Sequence, residues 1–224
     1  DDFLDGSESL SEVLRHRPNS SMAVCAKLLA ANEVSAVVSS GDTKALLGLA
    51  RSHVGTLPNL QRPAITKSFQ GNTGRFCMLD LGANVNCSET MLCEFAKLGA
   101  ALMYSDGDFP SMQAVRVGLL NIGTESGKGT GQLNNVAETL NADNSLDFVG
   151  FLEPTELFSN SADVIVCDGF TGNVFLKTAE AMYEAAAHQG LEKDAFFGRF
   201  HFENYGGTPV LGVNKPVIIG HGIS

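Results

Sequence analysis

Lys128 and Asn173 lie in two glycine-rich runs of the kind that suits an anion. Lys128 lies in the run Asn121-Ile122-Gly123-Thr124-Glu125-Ser126-Gly127-Lys128-Gly129-Thr130, and Asn173 closes the run Asp168-Gly169-Phe170-Thr171-Gly172-Asn173. Glycine lets backbone amides approach a ligand closely. A helix starting just after such a loop adds unpaired N–H groups and a favourable dipole. Lysine supplies a movable point charge. Two more runs have the same make, Ser40-Gly41-Asp42-Thr43-Lys44 and Asp80-Leu81-Gly82-Ala83-Asn84, with Tyr205-Gly206-Gly207 and His221-Gly222 near the end. Each run alone has a plainer reading. Glycine serves any strand-to-helix turn, Lys128 is an ordinary solvated lysine, and Asn173 or Asp168 is a helix-start or capping residue. Four such loops at one sheet edge favour a phosphate-type site. None is a P-loop, because Gly129 follows Lys128 where Ser or Thr belongs. G-x-G-x-x-G is also missing, so a nucleoside triphosphatase and an ordinary Rossmann dehydrogenase lack their fingerprints.

The elements that must hold these loops alternate along the chain. The sequence predicts strands at Ser35–Ser40, Arg75–Leu81, Val115–Ile122, Phe148–Leu152 and Asp163–Cys167. Helices are predicted at Ser21–Ala31, Thr43–Ala50, Glu89–Leu102, Gln132–Leu140, Thr155–Ser159 and Val174–Ala187. The last keeps Phe175, Ala179, Met182, Tyr183 and Ala186 on one face. Val210–Val213 and Pro216–Gly220 read as a closing strand pair. Apolar strands without alternation, interleaved with helices, predict an α/β fold of three layers. Its sheet is mainly parallel, with helices on both faces. Ligands in such a fold bind beyond the carboxyl ends of the strands, where these loops fall. A single domain over 1–224 is expected, with the loop-like stretch 55–74 as a subdomain connection. The chain is expected to be part of a longer protein, incomplete at both ends, with a break near 190–191.

Composition narrows the function. The 224 residues carry 15 Lys+Arg against 25 Asp+Glu, a formal charge of −10, which disfavours a duplex nucleic-acid binder. No apolar run approaches the ~20 residues of a membrane span, and no secretion signal opens the chain. The cysteines Cys25, Cys77, Cys87, Cys93 and Cys167 form no C-x-x-C pair, so no zinc site or redox dithiol is expected, and reduced thiols suit the cytoplasm. His16, His53, His188 and His201 offer no metal spacing. Arg15-His16-Arg17 and Lys193/Arg199 form either a docking face for an acidic protein or solvated basic turns.

Taken together, several strings resemble the phosphate acyltransferase (PlsX) family of bacterial phospholipid synthesis. They are Asn19–Met22 (NSSM), Arg62–Ala64 (RPA), Leu79–Cys87 (LDLGANVNC), Val117–Gly129 (VGLLNIGTESGKG), Asp163–Glu180 (DVIVCDGFTGNVFLKTAE), Tyr205–Val213 (YGGTPVLGV) and Val217–Gly222 (VIIGHG). They occur in order across nearly the whole chain. The resemblance implies a fold like those of phosphotransacetylases and isocitrate/isopropylmalate dehydrogenases. It implies conversion of acyl-[acyl carrier protein] and inorganic phosphate to acyl phosphate and free carrier protein. It further implies a homodimer in the cytoplasm with peripheral membrane contact, feeding a membrane glycerol-3-phosphate acyltransferase. No cofactor is implied, since phosphopantetheine arrives on the carrier protein. Three departures stand out. The family's N-terminal D-A-M-G-G-D is absent, its SAGNTGA reads Ser39-Ser40-Gly41-Asp42-Thr43-Lys44-Ala45, and its KGN reads Lys128-Gly129-Thr130.

On that reading Lys128 and Asn173 are the catalytic candidates. Lys128 holds phosphate, while Asn173 and the amides of Gly169–Asn173 donate to phosphate or oxyanion. Asn84, Gly123, Gly129, Thr130, Asp168, Gly169, Thr171, Gly172 and His221 are the substrate-binding candidates. Direct attack by oriented phosphate needs no covalent intermediate. The alternative is an acyl-enzyme on Cys167 with His221 as base. Three rivals stay open: a coenzyme A-dependent phosphotransacetylase-like enzyme, a metal- and NAD(P)-dependent decarboxylating dehydrogenase, and a non-catalytic scaffold that recruits carrier protein.

Overall fold

The computed structural model describes residues 10–107, 109–125, 127–191, 194, 196–200 and 207–220. It divides into two compact units, one formed by Asp1–Ile65 with Tyr205–Ser224 and the other by Thr66–Asn204.

Among its described residues the first unit packs three α-helices and four strand segments. Helix α1 is Leu10–His16, α2 is Ser21–Ala30 and α3 is Thr43–Leu49. Ser20 and Asp42 cap α2 and α3, their side chains accepting from Ala23 and Ala45 N–H. Strand β1 (Val37–Ser39) pairs in parallel with β8 (Val217–Ile219). β8 pairs antiparallel with β7 (Thr208–Leu211), which pairs antiparallel with Ala64 and Ile65 at the start of β2 (Ala64–Gln70). Leu29, Leu46, Leu49, Val37 and Val217 form its core. The closing strand pair is present as expected from its sequence.

β2 corrects the loop-like reading of 55–74. Thr66–Gln70 pair antiparallel with β3 (Arg75–Leu79) in the second unit. Lys67 hides the strand because it sits among apolar neighbours where alternation would demand otherwise, yet it is itself buried.

In the second unit the strand order is β2-β3-β6-β4-β5, with β4 at Arg116–Leu120, β5 at Asp147–Leu152 and β6 at Val164–Val166. The β3–β6, β6–β4 and β4–β5 pairs are all parallel. Helices α4 (Glu89–Ser105), α5 (Gly131–Asn141) and α6 (Gly169–His188) complete it. Gly99 of α4 lies against Val164 and Leu79, whereas Phe175 of α6 meets Phe69, which stacks on Phe76. Phe76 and Leu79 point to opposite faces of β3. Helices therefore cover both faces, the three-layer α/β arrangement expected from the strand pattern. The segment predicted as a helix at Thr155–Ser159 is a 3-10 turn at Pro154–Glu156.

Candidate functional site

Parallel pairing sends β3, β6 and β4 out at one edge. Leu79, Val166 and Leu119 are level in the sheet, so the loops after them leave side by side, with β6 in the middle. This is the carboxyl edge, where the loops of an α/β sheet gather around ligands.

The 80–84 loop is built on Asp80, which is fully buried. Its carboxylate accepts from the N–H of Gly82 (3.3 Å), Ala83 (3.1 Å) and Asn84 (2.7 Å), and from the Asn84 side-chain amide at 2.9 Å. Asn84 is buried, so its amide serves the loop; its carbonyl accepts from Gly169 N–H at 2.9 Å. Gly172 packs against the Asp80 carbonyl, and a Cβ there would collide with that oxygen.

Helix α6 starts at Gly169, five residues before the Val174 start expected from sequence. The run Gly169–Asn173 is therefore the helix's first turn and not a loop. Asp168 caps it, its carboxylate accepting from Thr171 N–H at 2.7 Å while its carbonyl accepts from Gly172 N–H at 3.0 Å. The amides of Gly169, Thr171 and Gly172 are thus engaged within the chain. The Asn173 side chain is exposed and lies beside Gly82: a Cβ built on Gly82 falls 3.3 Å from Asn173 Cβ and Oδ1. Gly82 has φ of +124°, a conformation that side chains resist.

The 121–130 loop is held by Asn121, which is 4% exposed. Its side chain donates to the Lys128 carbonyl at 3.1 Å and accepts from Ile122 N–H at 2.9 Å. Gly123 packs against the Lys128 side chain, Gly129 against the Asn121 side chain, and Thr130 caps α5 by accepting from Leu133 N–H at 3.2 Å. The Lys128 ammonium is about half-exposed and stands 3.4 Å from Glu125 Oε1. The Glu125 carboxyl is held below its usual range, first by its own backbone amide and then by Lys128. Gln132, at the start of α5, donates to the Cys87 carbonyl at 2.5 Å, tying this loop to the first.

Asn84, Asp168, Gly169, Thr171, Gly172 and Asn173 are thus brought together. Lys128, Gly123, Gly129 and Thr130 share the loop after β4. An open cavity of about 520 Å³ along α6 is lined by Asn173, Val174, Lys177, Thr178, Ala181, Met182 and Ala185, and Lys128 is not on its wall. The loop Ser40–Lys44 belongs to the first unit, where Gly220 N–H donates to the Ser39 carbonyl at 2.8 Å. His221, Tyr205, Gly206 and Lys193 lie outside the described residues, as does the side chain of Arg199.

Cys167 is a poor nucleophile in this setting. It is buried, and burial raises its thiol well above the ordinary value, with the Asp168 and Asp80 charges adding to the effect. Its sulfur lies 3.6 Å from the Asp80 carbonyl. Among the described residues, no cluster of His, Cys, Asp and Glu is arranged to hold a metal ion.

Sequence reasoning placed Asp80, Gly82 and Asn121 in the candidate loops without giving them a role, and missed Gln132. Asp80 carried a signal, since an Asp followed by Leu-Gly-Ala-Asn can accept from the backbone amides that follow it. The others reveal themselves only through tertiary contact.

The family described as "Fatty acid synthesis protein" matches residues 1–196. A phosphate acyltransferase of Cellvibrio japonicus (strain Ueda107) is 40% identical over 239 aligned residues, covering 99% of this chain and 71% of that protein. One of Pseudomonas savastanoi pv. phaseolicola (strain 1448A / Race 6) is 43% identical over 175 residues, covering 78% of this chain but only 50% of the relative. Among solved structures, a branched-chain phosphotransacylase of Enterococcus faecalis V583 superposes with a TM-score of 0.62 at 14% identity, covering 89% of this chain and 71% of that one, and so shares the fold. With identity this high over nearly its whole length, the chain belongs to the fatty acid synthesis protein family, alongside transferases named phosphate acyltransferase.

Proposed function

We propose that this protein transfers an acyl group from acyl carrier protein to inorganic phosphate, giving acyl phosphate and free carrier protein. The observation that carries the reading is the interlock of the loops after β3 and β6, which leaves the Asn173 side chain outward over the Gly82 backbone at the sheet's carboxyl edge. The names of the relatives support the reaction class.

The chemistry asks for little beyond positioning. A phosphate oxygen attacks the thioester carbonyl carbon and a C–O bond forms. The tetrahedral oxyanion then expels the pantetheine thiolate as the C–S bond breaks, and the thiolate takes a proton from solvent. Lys128 offsets the phosphate dianion, and the Asn173 amide donates to phosphate or to the oxyanion. Cys167, held as a buried thiol, takes no part. A dianion already in place is nucleophile enough once oriented.

The carrier protein is acidic in this reading and docks on a local basic patch such as Arg15-His16-Arg17, because the chain's charge of −10 repels it at long range. The protein acts as a homodimer that touches the membrane peripherally and passes its product to a membrane glycerol-3-phosphate acyltransferase. No described helix is long and apolar enough to cross a membrane.

The test mixes purified protein with an acyl carrier protein thioester and phosphate, and traps the product with hydroxylamine. Phosphate-dependent hydroxamate is expected. Thioester hydrolysis without it, or activity with acyl-CoA alone, overturns the reading.

A further inference from the structure

A loop rich in glycine does not hold a side chain in place by itself. Lys128 lies between Gly127 at φ +84° and Gly129 at φ +80°, and glycine restrains the chain less than any other residue. The peptide that carries the ammonium is fixed from outside the loop. The Lys128 carbonyl accepts from two side-chain amides, Asn121 Nδ2 at 3.1 Å and Asn134 Nδ2 at 3.3 Å. A carbonyl oxygen has two lone pairs, and this one spends both on side chains. The two donors come from different elements. Asn121 is buried just past β4, with its own N–H on the Leu152 carbonyl of β5 at 2.9 Å. Asn134 is half-buried in the first turn of α5.

The helix side of this clamp is itself anchored. Asn134 Nδ2 also donates to the Thr130 carbonyl at 2.9 Å. In the same stretch Gln132 donates to the Cys87 carbonyl, and Asn135 Nδ2 donates to Glu89 Oε1 at 2.8 Å. The start of α5 therefore joins the Lys128 peptide to the loop after β3, whose Asn84 carbonyl accepts from Gly169 N–H at the start of α6. Helix capping does not require the bond to Lys128. Thr130 already caps α5 by accepting from Leu133 N–H at 3.2 Å, and the Asn134 bond to Thr130 supports the same turn.

We propose that Asn134 is a positioning residue, which acts through the Lys128 carbonyl to hold the Lys128 ammonium against a phosphate dianion. The proposal rests on the role of Lys128 in the reaction proposed above. The lysine stem is flexible, and its rotamer freedom is worth ~2 kcal/mol. Fixing the backbone beneath it narrows the volume that the ammonium samples, so less order has to be imposed when phosphate arrives. Without Asn134 the carbonyl keeps Asn121 alone, and the expected consequence is a displaced lysine in a folded protein.

Shielding of Lys128 by phosphate tests this without reference to turnover. The intact protein is acetylated with acetic anhydride over a range of inorganic phosphate, and the label on Lys128 is read by mass spectrometry. Phosphate is expected to shield Lys128 in the wild type. In Asn134→Ala the half-shielding concentration is expected to rise roughly fivefold to tenfold, about the worth of one hydrogen bond. The melting temperature without phosphate is expected to fall by only a few degrees. Asn134→Ser separates positioning from support of the helix start. Its hydroxyl can serve the Thr130 carbonyl four residues back, but it is one bond shorter and does not reach Lys128. It is expected to regain the melting temperature and not the phosphate affinity. In rates of thioester cleavage, Asn134→Ala added to Lys128→Ala is expected to cost nothing further, because both act through one ammonium. Unchanged half-shielding in Asn134→Ala, full recovery in Asn134→Ser, or a further loss in the double variant overturns the positioning role and leaves the proposed reaction in place. Shielding as expected with no acyl phosphate formed leaves Asn134 in its role and removes the reaction. Wild-type Lys128 left unshielded by phosphate overturns the proposal together with the role of Lys128.

Discussion

Asn173 leaves little room for a side chain at Gly82: a Cβ built there, on a backbone at φ +124°, falls 3.3 Å from Asn173 Cβ and Oδ1. A methyl group on Gly82 would both strain the backbone and press the amide out of place. Gly82→Ala is therefore expected to cost about 1–3 kcal/mol of stability through the unfavourable φ alone. It is expected to lower kcat as well. Because both act through one amide, Gly82→Ala added to Asn173→Ala is expected to do little more to kcat than Asn173→Ala by itself. Thermal melts and steady-state rates on the three variants check this, and fully additive rate losses would contradict it.

Asp80 accepts four N–H bonds from within complete burial. Asp80→Ala orphans those donors and is expected to destabilise the protein by roughly 3 kcal/mol, the range for breaking a buried charged network. Asp80→Asn keeps an acceptor and the shape, so it is expected to lose less. Urea unfolding of both variants separates the two effects.

Glu125 Oε1 lies 3.4 Å from the Lys128 ammonium, so on the proposed role of Lys128 its carboxylate would compete with phosphate. Glu125→Gln removes the competitor. The KM for phosphate is expected to fall roughly twofold to fivefold, the size of an exposed ion pair. A raised KM would show that Glu125 orients Lys128 instead.

Burial pushes the Cys77 thiol up to about 12. The folded chain therefore keeps this proton at pH values where the unfolded chain, with a thiol near ~8.5, has lost it. The stabilisation is whole below that unfolded value and is lost as pH rises toward 12. The decline is expected at up to roughly 1.4 kcal/mol per pH unit for this one thiol. Unfolding midpoints between pH 8 and 10 should drop faster for the wild type than for Cys77→Ala. Equal slopes would contradict this.

The parallel strands could be read from sequence because β3, β4 and β6 are buried on both faces and so show as unbroken apolar runs. The start of α6 could not. Gly169 and Gly172 look like loop residues, but Gly172 is there because the Asp80 carbonyl leaves no room for a side chain. The glycine marks a close approach and not a turn. β2 was hidden by Lys67, a lysine that is nonetheless buried. Asn173 and Lys128 were legible as site candidates from their loops, whereas Gln132 reaches the site through a bond to Cys87 that no local pattern announces.

The most direct test of the anion site is the rate of carrier-protein thiol release against phosphate concentration for wild type, Lys128→Ala and Asn173→Ala, each checked for an intact fold. Saturable dependence in the wild type, with losses on the order of 10²–10³ in each variant, is the expected result for missing electrostatic donors. Near-normal turnover in both variants would contradict it.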